Sequence, residues 1–187
     1  MYNFQLIADG FNVQAAIAEL AAKADAFKMF TGRQEAPGSA HHSTECIVLR
    51  GPVAITMDAV FNDTHAVWYP LPPELDLPDT LELTRKALDK LSPMAELGRV
   101  MVVSLKAGGA IDAHIDEGAY AAHYERFHLV LTSKPGNVFQ CGREAIHMQP
   151  GELWQFDHRQ LHSVQNASDE DRIHIIIDAR RTSGQEQ

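Results

Sequence analysis

From Arg99 to Asp178 the chain is a succession of short apolar or alternating runs, each closed by a turn signal, and this pattern most restricts the folds open to it. Residues 100–105 read as a buried strand. Runs over 111–116, 126–132, 138–141, 145–148, 151–156, 161–166 and 172–178 follow, punctuated by Gly-Gly, Gly-Arg-Glu and Asn-Ala-Ser-Asp-Glu-Asp turns. Short strands with turn signals between them predict an all-β barrel or sandwich. The first hundred residues have another character. Val13, Ile17, Leu20, Ala24 and Phe27 recur at helical spacing over 12–30, with Asn12 as N-cap. A second helix is expected from Asp79, with Glu82 in a capping-box position, Leu81, Leu88 and Leu91 on its apolar face, and Ser92-Pro93 as its stop. Short strands are expected over 46–50 and 65–69. His41 and His42 fall in a loop and read as solvated side chains.

Chemistry concentrates in the β region. After the Gly108-Gly109 turn, His114 and Asp116 stand two apart on an expected strand, so both side chains leave the same face. With His162 they would complete a two-histidine, one-carboxylate face, which holds Fe(II) and leaves positions open for dioxygen and a co-substrate. Asp112 shares that face and is a rival carboxylate. Arg172, on the next strand, offers the guanidinium that the far carboxylate of 2-oxoglutarate requires. Alternation sorts the neighbouring strands in the same way. Phe127, Leu129 and Leu131 oppose Arg126 and His128, while Ile173, Ile175 and Ile177 oppose Arg172 and His174. Val130 and Ile176 interrupt the polar faces, as in a cavity rather than a wetted surface.

Composition sets the outer limits. With 187 residues, 45% of them hydrophobic, the chain has material for one sizeable core. Sixteen Lys and Arg against 25 Asp and Glu give a net charge of −9, which argues against nucleic-acid or anionic-membrane partners. No apolar run approaches a membrane span, and Met1-Tyr2-Asn3-Phe4 begins no signal peptide. Cys46 and Cys141 make no disulfide framework, so a cytoplasmic location is expected. No feature specifies an oligomeric state.

The ordered segments Leu105-Lys106-Ala107-Gly108-Gly109, His114-Ile115-Asp116, Arg126-Phe127-His128-Leu129, Gly151 to Asp157, His162 and Arg172-Ile173-His174 together resemble the aspartyl/asparaginyl β-hydroxylase family of iron(II)/2-oxoglutarate dioxygenases. The resemblance covers roughly residues 99–180. It implies a mainly β fold with flanking helices, built on a double-stranded β-helix, a jelly-roll or cupin-like barrel. It further implies His114 and His162 as iron ligands and Arg172 as the 2-oxoglutarate anchor, with His128 beside that anchor and Arg126 near the substrate. The aspartyl hydroxylase that names the family has glycine where this chain has Asp116, whereas its bacterial free-proline hydroxylase relatives keep an acid, so this chain resembles the fuller-triad branch. The expected organisation is one domain over 1–187. Helices and loops over 1–98 buttress the barrel and supply its substrate side, 99–180 form the core, and 181–187 are a polar tail. The expected activity is hydroxylation of a C–H bond in an amino acid, free or within a peptide, using Fe(II), 2-oxoglutarate and O2. Two other readings stay open: a cupin-type metalloenzyme that does not use 2-oxoglutarate and has no need of Arg172, and a non-catalytic ligand-binding barrel indifferent to the metal triad. Fold alone does not separate the three.

Overall fold

In the computed structural model, which describes residues 3–181, the chain runs through β1 (Phe4–Ala8), α1 (Gln14–Ala22), a 3₁₀ turn (Ala24–Lys28), α2 (Gly32–Glu35), β2 (Thr44–Pro52), α3 (Met57–Asn62), β3 (Ala66–Trp68), a second 3₁₀ turn (Pro73–Leu75) and α4 (Pro78–Lys90). It continues through β4 (Met94–Leu105), β5 (Ala110–His114), α5 (Gly118–His123), β6 (Glu125–Thr132), β7 (Asn137–Cys141), β8 (Glu144–Ile146), β9 (Leu153–Phe156), β10 (His162–Asn166) and β11 (Arg172–Arg181). Beyond Arg181, the expected polar tail lies outside the described residues.

The strands form two antiparallel sheets. The larger has the order β1-β9-β6-β11-β4-β2-β3 and the smaller β5-β10-β7-β8. This is a jelly-roll barrel of the double-stranded β-helix type, mainly β with helices flanking it, as expected. On the outer face of the large sheet, Phe127, Leu129, Ile175, Ile177 and Val102 pack under Leu20 of α1 and Leu83 of α4. Full burial of such a side chain contributes about 1.5–3 kcal/mol, so this face carries much of the fold's stability. The inner face packs Val130, Leu105 and Phe156 against Ile111, Phe139 and Val164 of the small sheet. It also carries buried His128, Arg172, His174 and Asp178. Strand β11 is therefore covered on both sides, apolar outward and polar inward, as the alternation of Ile173 to Asp178 requires.

Several elements depart from the sequence expectation. The helix expected over 12–30 breaks at Lys23, where α1 gives way to a 3₁₀ turn. Asn12 stands one residue before the N-cap Val13, and its side chain accepts from the Gln14 N–H. The strand expected over 111–116 ends at His114, and the one expected from Gly151 begins at Leu153. β1 was not expected. It is a short strand that finds its partner β9 across nearly the whole chain.

The start of α4 shows why local signals fell short. It begins at Pro78 with no capping side chain of its own, and Glu82 pairs with Arg85. The cap comes instead from α1. Glu19 accepts hydrogen bonds from the Asp79 N–H at 3.1 Å, the Thr80 N–H at 2.8 Å and the Thr80 hydroxyl at 2.7 Å. These donors would otherwise be the orphans of a helix N-terminus. Glu19→Ala is expected to lower the unfolding free energy by about 1–2 kcal/mol, measured by urea denaturation, whereas Glu82→Ala should change it by less than about 0.5 kcal/mol, the range of an exposed helix pair.

Candidate active site

His162 and His114 are direct register partners across β10 and β5, which sets the two imidazoles side by side with ring centroids 4.2 Å apart. Each ring is oriented in the same way. The Nδ1 of His114 lies 2.7 Å from the Asp112 carbonyl, and that of His162 lies 2.9 Å from the Gln160 carbonyl. A carbonyl only accepts, so each Nδ1 carries its proton and each Nε2 keeps its lone pair. Burial lowers the His162 pKa to about 4, so it is neutral and ready to ligate at ordinary pH. Asp116 completes the group: ligand atoms of His114, Asp116 and His162 all lie within 4.8 Å of one another. It does so from a loop and not from the strand, its N–H bonded to the His158 carbonyl at 3.1 Å. The rival Asp112 points its exposed carboxylate toward His42, and contributes here through its carbonyl.

Arg126 holds Asp116 in place. Its Nη1 donates to Asp116 Oδ2, while Nε and Nη2 fork onto the two oxygens of Asp178 at 2.8 and 3.0 Å. Asp178 is buried at the end of this chain and also accepts from the Tyr120 hydroxyl at 3.0 Å. Burial alone would raise the Asp116 pKa. The Arg126 charge outweighs it and holds the carboxyl well below its usual value. Arg126, expected near the substrate, thus has its Nε, Nη1 and Nη2 all engaged by the carboxylates of Asp116 and Asp178. Glu125 pairs with Arg181.

Across the barrel, Arg172 is buried and its guanidinium meets no carboxylate among the described residues. Its polar neighbour is His174, whose Nδ1 accepts from Arg172 Nη2 at 3.1 Å and faces the Nδ1 of His128 at 3.3 Å. The Nε2 atoms of His128 and His174 are both buried without a hydrogen-bond partner among the described residues. Burial, then the Arg172 charge, holds both imidazoles neutral. Burial likewise lowers Arg172 to about 9. An unpaired buried cation beside two orphaned ring nitrogens is costly unless an anion joins it. The rings of Phe139 and Phe156 lie between the two halves of the site, Phe139 under Arg172 and Phe156 against both His128 and His162.

The structure thus brings His114, Asp116 and His162 together and sets Arg172 apart with His128, one imidazole away through His174. His174 was visible only as a face-mate of Arg172. Asp178 ended the same alternation without being singled out. His41, read as a solvated loop residue, packs edge-on against His114 with centroids 4.7 Å apart.

Residues 73–182 match the sequence profile of the aspartyl/asparaginyl β-hydroxylases, well over half the chain. The chain belongs to the aspartyl/asparaginyl β-hydroxylase family. The match starts earlier than the motifs alone reach, taking in α4. No curated protein matches the chain in sequence. Among solved structures, the fold is similar to a viral collagen prolyl hydroxylase of Paramecium bursaria Chlorella virus-1 in complex with 2-oxoglutarate (14% identity, 97% of each chain, TM-score 0.56). It is similar also to a 2-oxoglutarate-Fe(II) oxygenase family oxidoreductase of Burkholderia pseudomallei (14% identity, 95% of this chain and 94% of that one, TM-score 0.54). A third is a prolyl hydroxylase of Trichoplax adhaerens bound to a hypoxia inducible factor peptide (12% identity, 95% and 83%, TM-score 0.55). No described helix of this family member is long and apolar enough to cross a membrane.

The neutral buried histidines have a consequence for stability. An unfolded histidine takes up its proton near pH 6.5, whereas folded His162 resists until about 4 and His41, buried beside Arg33, until about 2. The unfolded chain therefore binds more protons as the pH falls from about 6.5, and stability declines, with the His162 share fully lost below about 4. Urea denaturation of the metal-free protein at pH 7.5, 6, 5 and 4.5 should show this decline, and His162→Asn should make it shallower. Equal stability at pH 7.5 and 5 would contradict the assignment.

Proposed function

We propose that this protein is an Fe(II)- and 2-oxoglutarate-dependent dioxygenase that hydroxylates a C–H bond of an amino acid, free or within a peptide. The observation that carries this reading is the conjunction of a His-Asp-His cluster with a buried guanidinium that has no carboxylate partner among the described residues. Iron(II) bound with 2-oxoglutarate supplies oxygen activation, the keto acid leaving as succinate and carbon dioxide.

The chain's own residues do the rest. Nε2 of His114, Nε2 of His162 and the Asp116 carboxylate are the donors, two neutral and one anionic, a set suited to Fe(II). The Asp112 and Gln160 carbonyls keep both imidazoles in the ligating tautomer. Arg126 keeps Asp116 ionised and aimed at the histidines. Arg172 takes the far carboxylate of 2-oxoglutarate, and His174 fixes the guanidinium's orientation from beside it. Phe139 and Phe156 exclude water from the space between. A cupin-type enzyme that does not use 2-oxoglutarate has no use for Arg172, and a passive binding barrel has none for the triad. The viral relative in the fold is solved with 2-oxoglutarate and the Trichoplax one with a peptide. Both fit this reading, and the net charge of −9 favours an amino-acid or peptide substrate over a nucleic acid.

Succinate formation from 2-oxoglutarate under air, with and without Fe(II), against a panel of amino acids and peptides tests the reading. Turnover is expected to require Fe(II). His162→Ala should abolish it and lower metal content while the protein stays folded, and Asp116→Gly should weaken metal retention with residual turnover at high Fe(II). Arg172→Leu should raise the KM for 2-oxoglutarate by about two orders of magnitude, the scale of a lost buried charge pair, with metal content unchanged. Unaltered metal content in both His114→Ala and His162→Ala, or an unchanged 2-oxoglutarate dependence in Arg172→Leu, would refute it.

A further inference from the structure

Arg33, on the short helix α2, is another guanidinium without a carboxylate partner among the described residues, and unlike Arg99, which donates to the Ala59 and Asp63 carbonyls, it has no oxygen acceptor there either. Its Nη1 is out of solvent and has no partner among the described residues. Its Nη2 lies 3.2 Å from Nδ1 and 3.1 Å from Nε2 of His41. Near-equal distances to both ring nitrogens put Nη2 over the face of the imidazole and not on an in-plane lone pair, a cation–π contact and no ion pair. His41 in turn stands edge-on to His114, so one imidazole separates Arg33 from the His-Asp-His cluster. The carboxylates whose charge reaches Arg33 are Asp116 and Asp178, and Arg126 already pairs with both while repelling Arg33.

Arg172 and Arg33 have separate places. Arg172 stands over Phe139, whereas Arg33 lies on the His41 ring beside His114, in a part of the chain ahead of the family-matched residues 73–182. One 2-oxoglutarate has one carboxylate to give a guanidinium once its keto-acid end is at the metal, and Arg172 takes it. A buried unpaired guanidinium nitrogen beside the reacting centre is costly unless another anion arrives. We propose that Arg33 binds a carboxylate of the substrate, so that the molecule hydroxylated is an acid held between Arg33 and the His-Asp-His cluster. This rests on the dioxygenase reading above and narrows its substrate class to carboxylates. His41 acts as the spacer: its neutral ring supports the guanidinium from below and sets its distance from His114. The carboxylate has two sources, the α-carboxylate of a free amino acid or the side chain of Asp or Glu in a peptide.

The test is binding, read as thermal shift and by calorimetry on the full chain with Mn(II) in place of iron. Probes are the free L-amino acids, their α-carboxamides, and N-acetyl-Asp and N-acetyl-Glu α-amides. At least one acid should bind wild type, with its uncharged amide about tenfold to a hundredfold weaker, the range of a charge-assisted hydrogen bond. A free amino acid preferred over its α-carboxamide identifies the α-carboxylate, and binding of the N-acetyl acidic amides identifies the side chain. Arg33→Leu should lose the preference for acid over amide. Arg33→Lys, which keeps the charge without the fork, should retain part of it. Arg85→Leu, on the solvent side of α4 with 60% of its side chain exposed, controls for loss of a surface cation and should behave as wild type. Acid and amide binding wild type equally, no acid binding at all, or Arg33→Leu keeping the wild-type preference would each overturn the proposal. Failure of the dioxygenase reading shows separately, as the absence of a 2-oxoglutarate-induced shift in wild type.

Discussion

A β-strand with both faces buried has to satisfy whatever polar groups it carries without help from water, and β11 is such a strand. Its outward isoleucines lie under the helices, and its inward residues Arg172, His174 and Asp178 lie inside the barrel. The two ends of that inward row are treated differently. At Asp178 the polar groups close on themselves: Arg126 bridges two carboxylates and Tyr120 donates to the deeper one. At Arg172 they do not, and a guanidinium is left with neutral imidazoles for company. Where the network closes, the protein is finished by its own residues. Where it stays open, the buried charge has no carboxylate partner among the described residues.

The same contrast explains what could be read in advance. Strand alternation and the inward set of Arg126, His128, Arg172 and His174 follow from period-two geometry plus short turns, so they were legible residue by residue, whereas the convergence of His114 with His162 was implied by the family resemblance. The failures share one cause, contacts between segments far apart in sequence. Asp116 was placed on a strand because His-x-Asp fits one, yet the His158 carbonyl draws it off the ladder into a loop. Arg126 was expected near the substrate, and its fork goes to Asp178 on the adjacent strand. Gly32-Arg33-Gln34-Glu35 and His41-His42 look like wetted loop, and nothing local says that His114 will close over one of those rings.

The loop carrying Asp116 also depends on a packing contact. Gly118 follows it with φ +93°, and a Cβ there would run into the Phe61 carbonyl oxygen. Only glycine permits both the backbone angle and the approach. The close seating of α5 on α3 that results is joined by the Ala119 N–H, which donates to Asn62 Oδ1 at 3.3 Å. The carboxylate is thus held on three sides: Arg126 at its oxygen, His158 at its backbone, and α3 two residues on.

The two histidines of the His-Asp-His cluster share a device whose effect reaches beyond geometry. Each is locked by the carbonyl two residues before it, Asp112 for His114 and Gln160 for His162. Metal sites that rely on an outer carboxylate to steer a ligand tie a second side chain to the function. Here the steering group is main chain, so side-chain changes at 112 and 160 leave it in place. Those two positions are free to drift over evolutionary time, and a search for the site by residue variability would pass over the atoms that aim it.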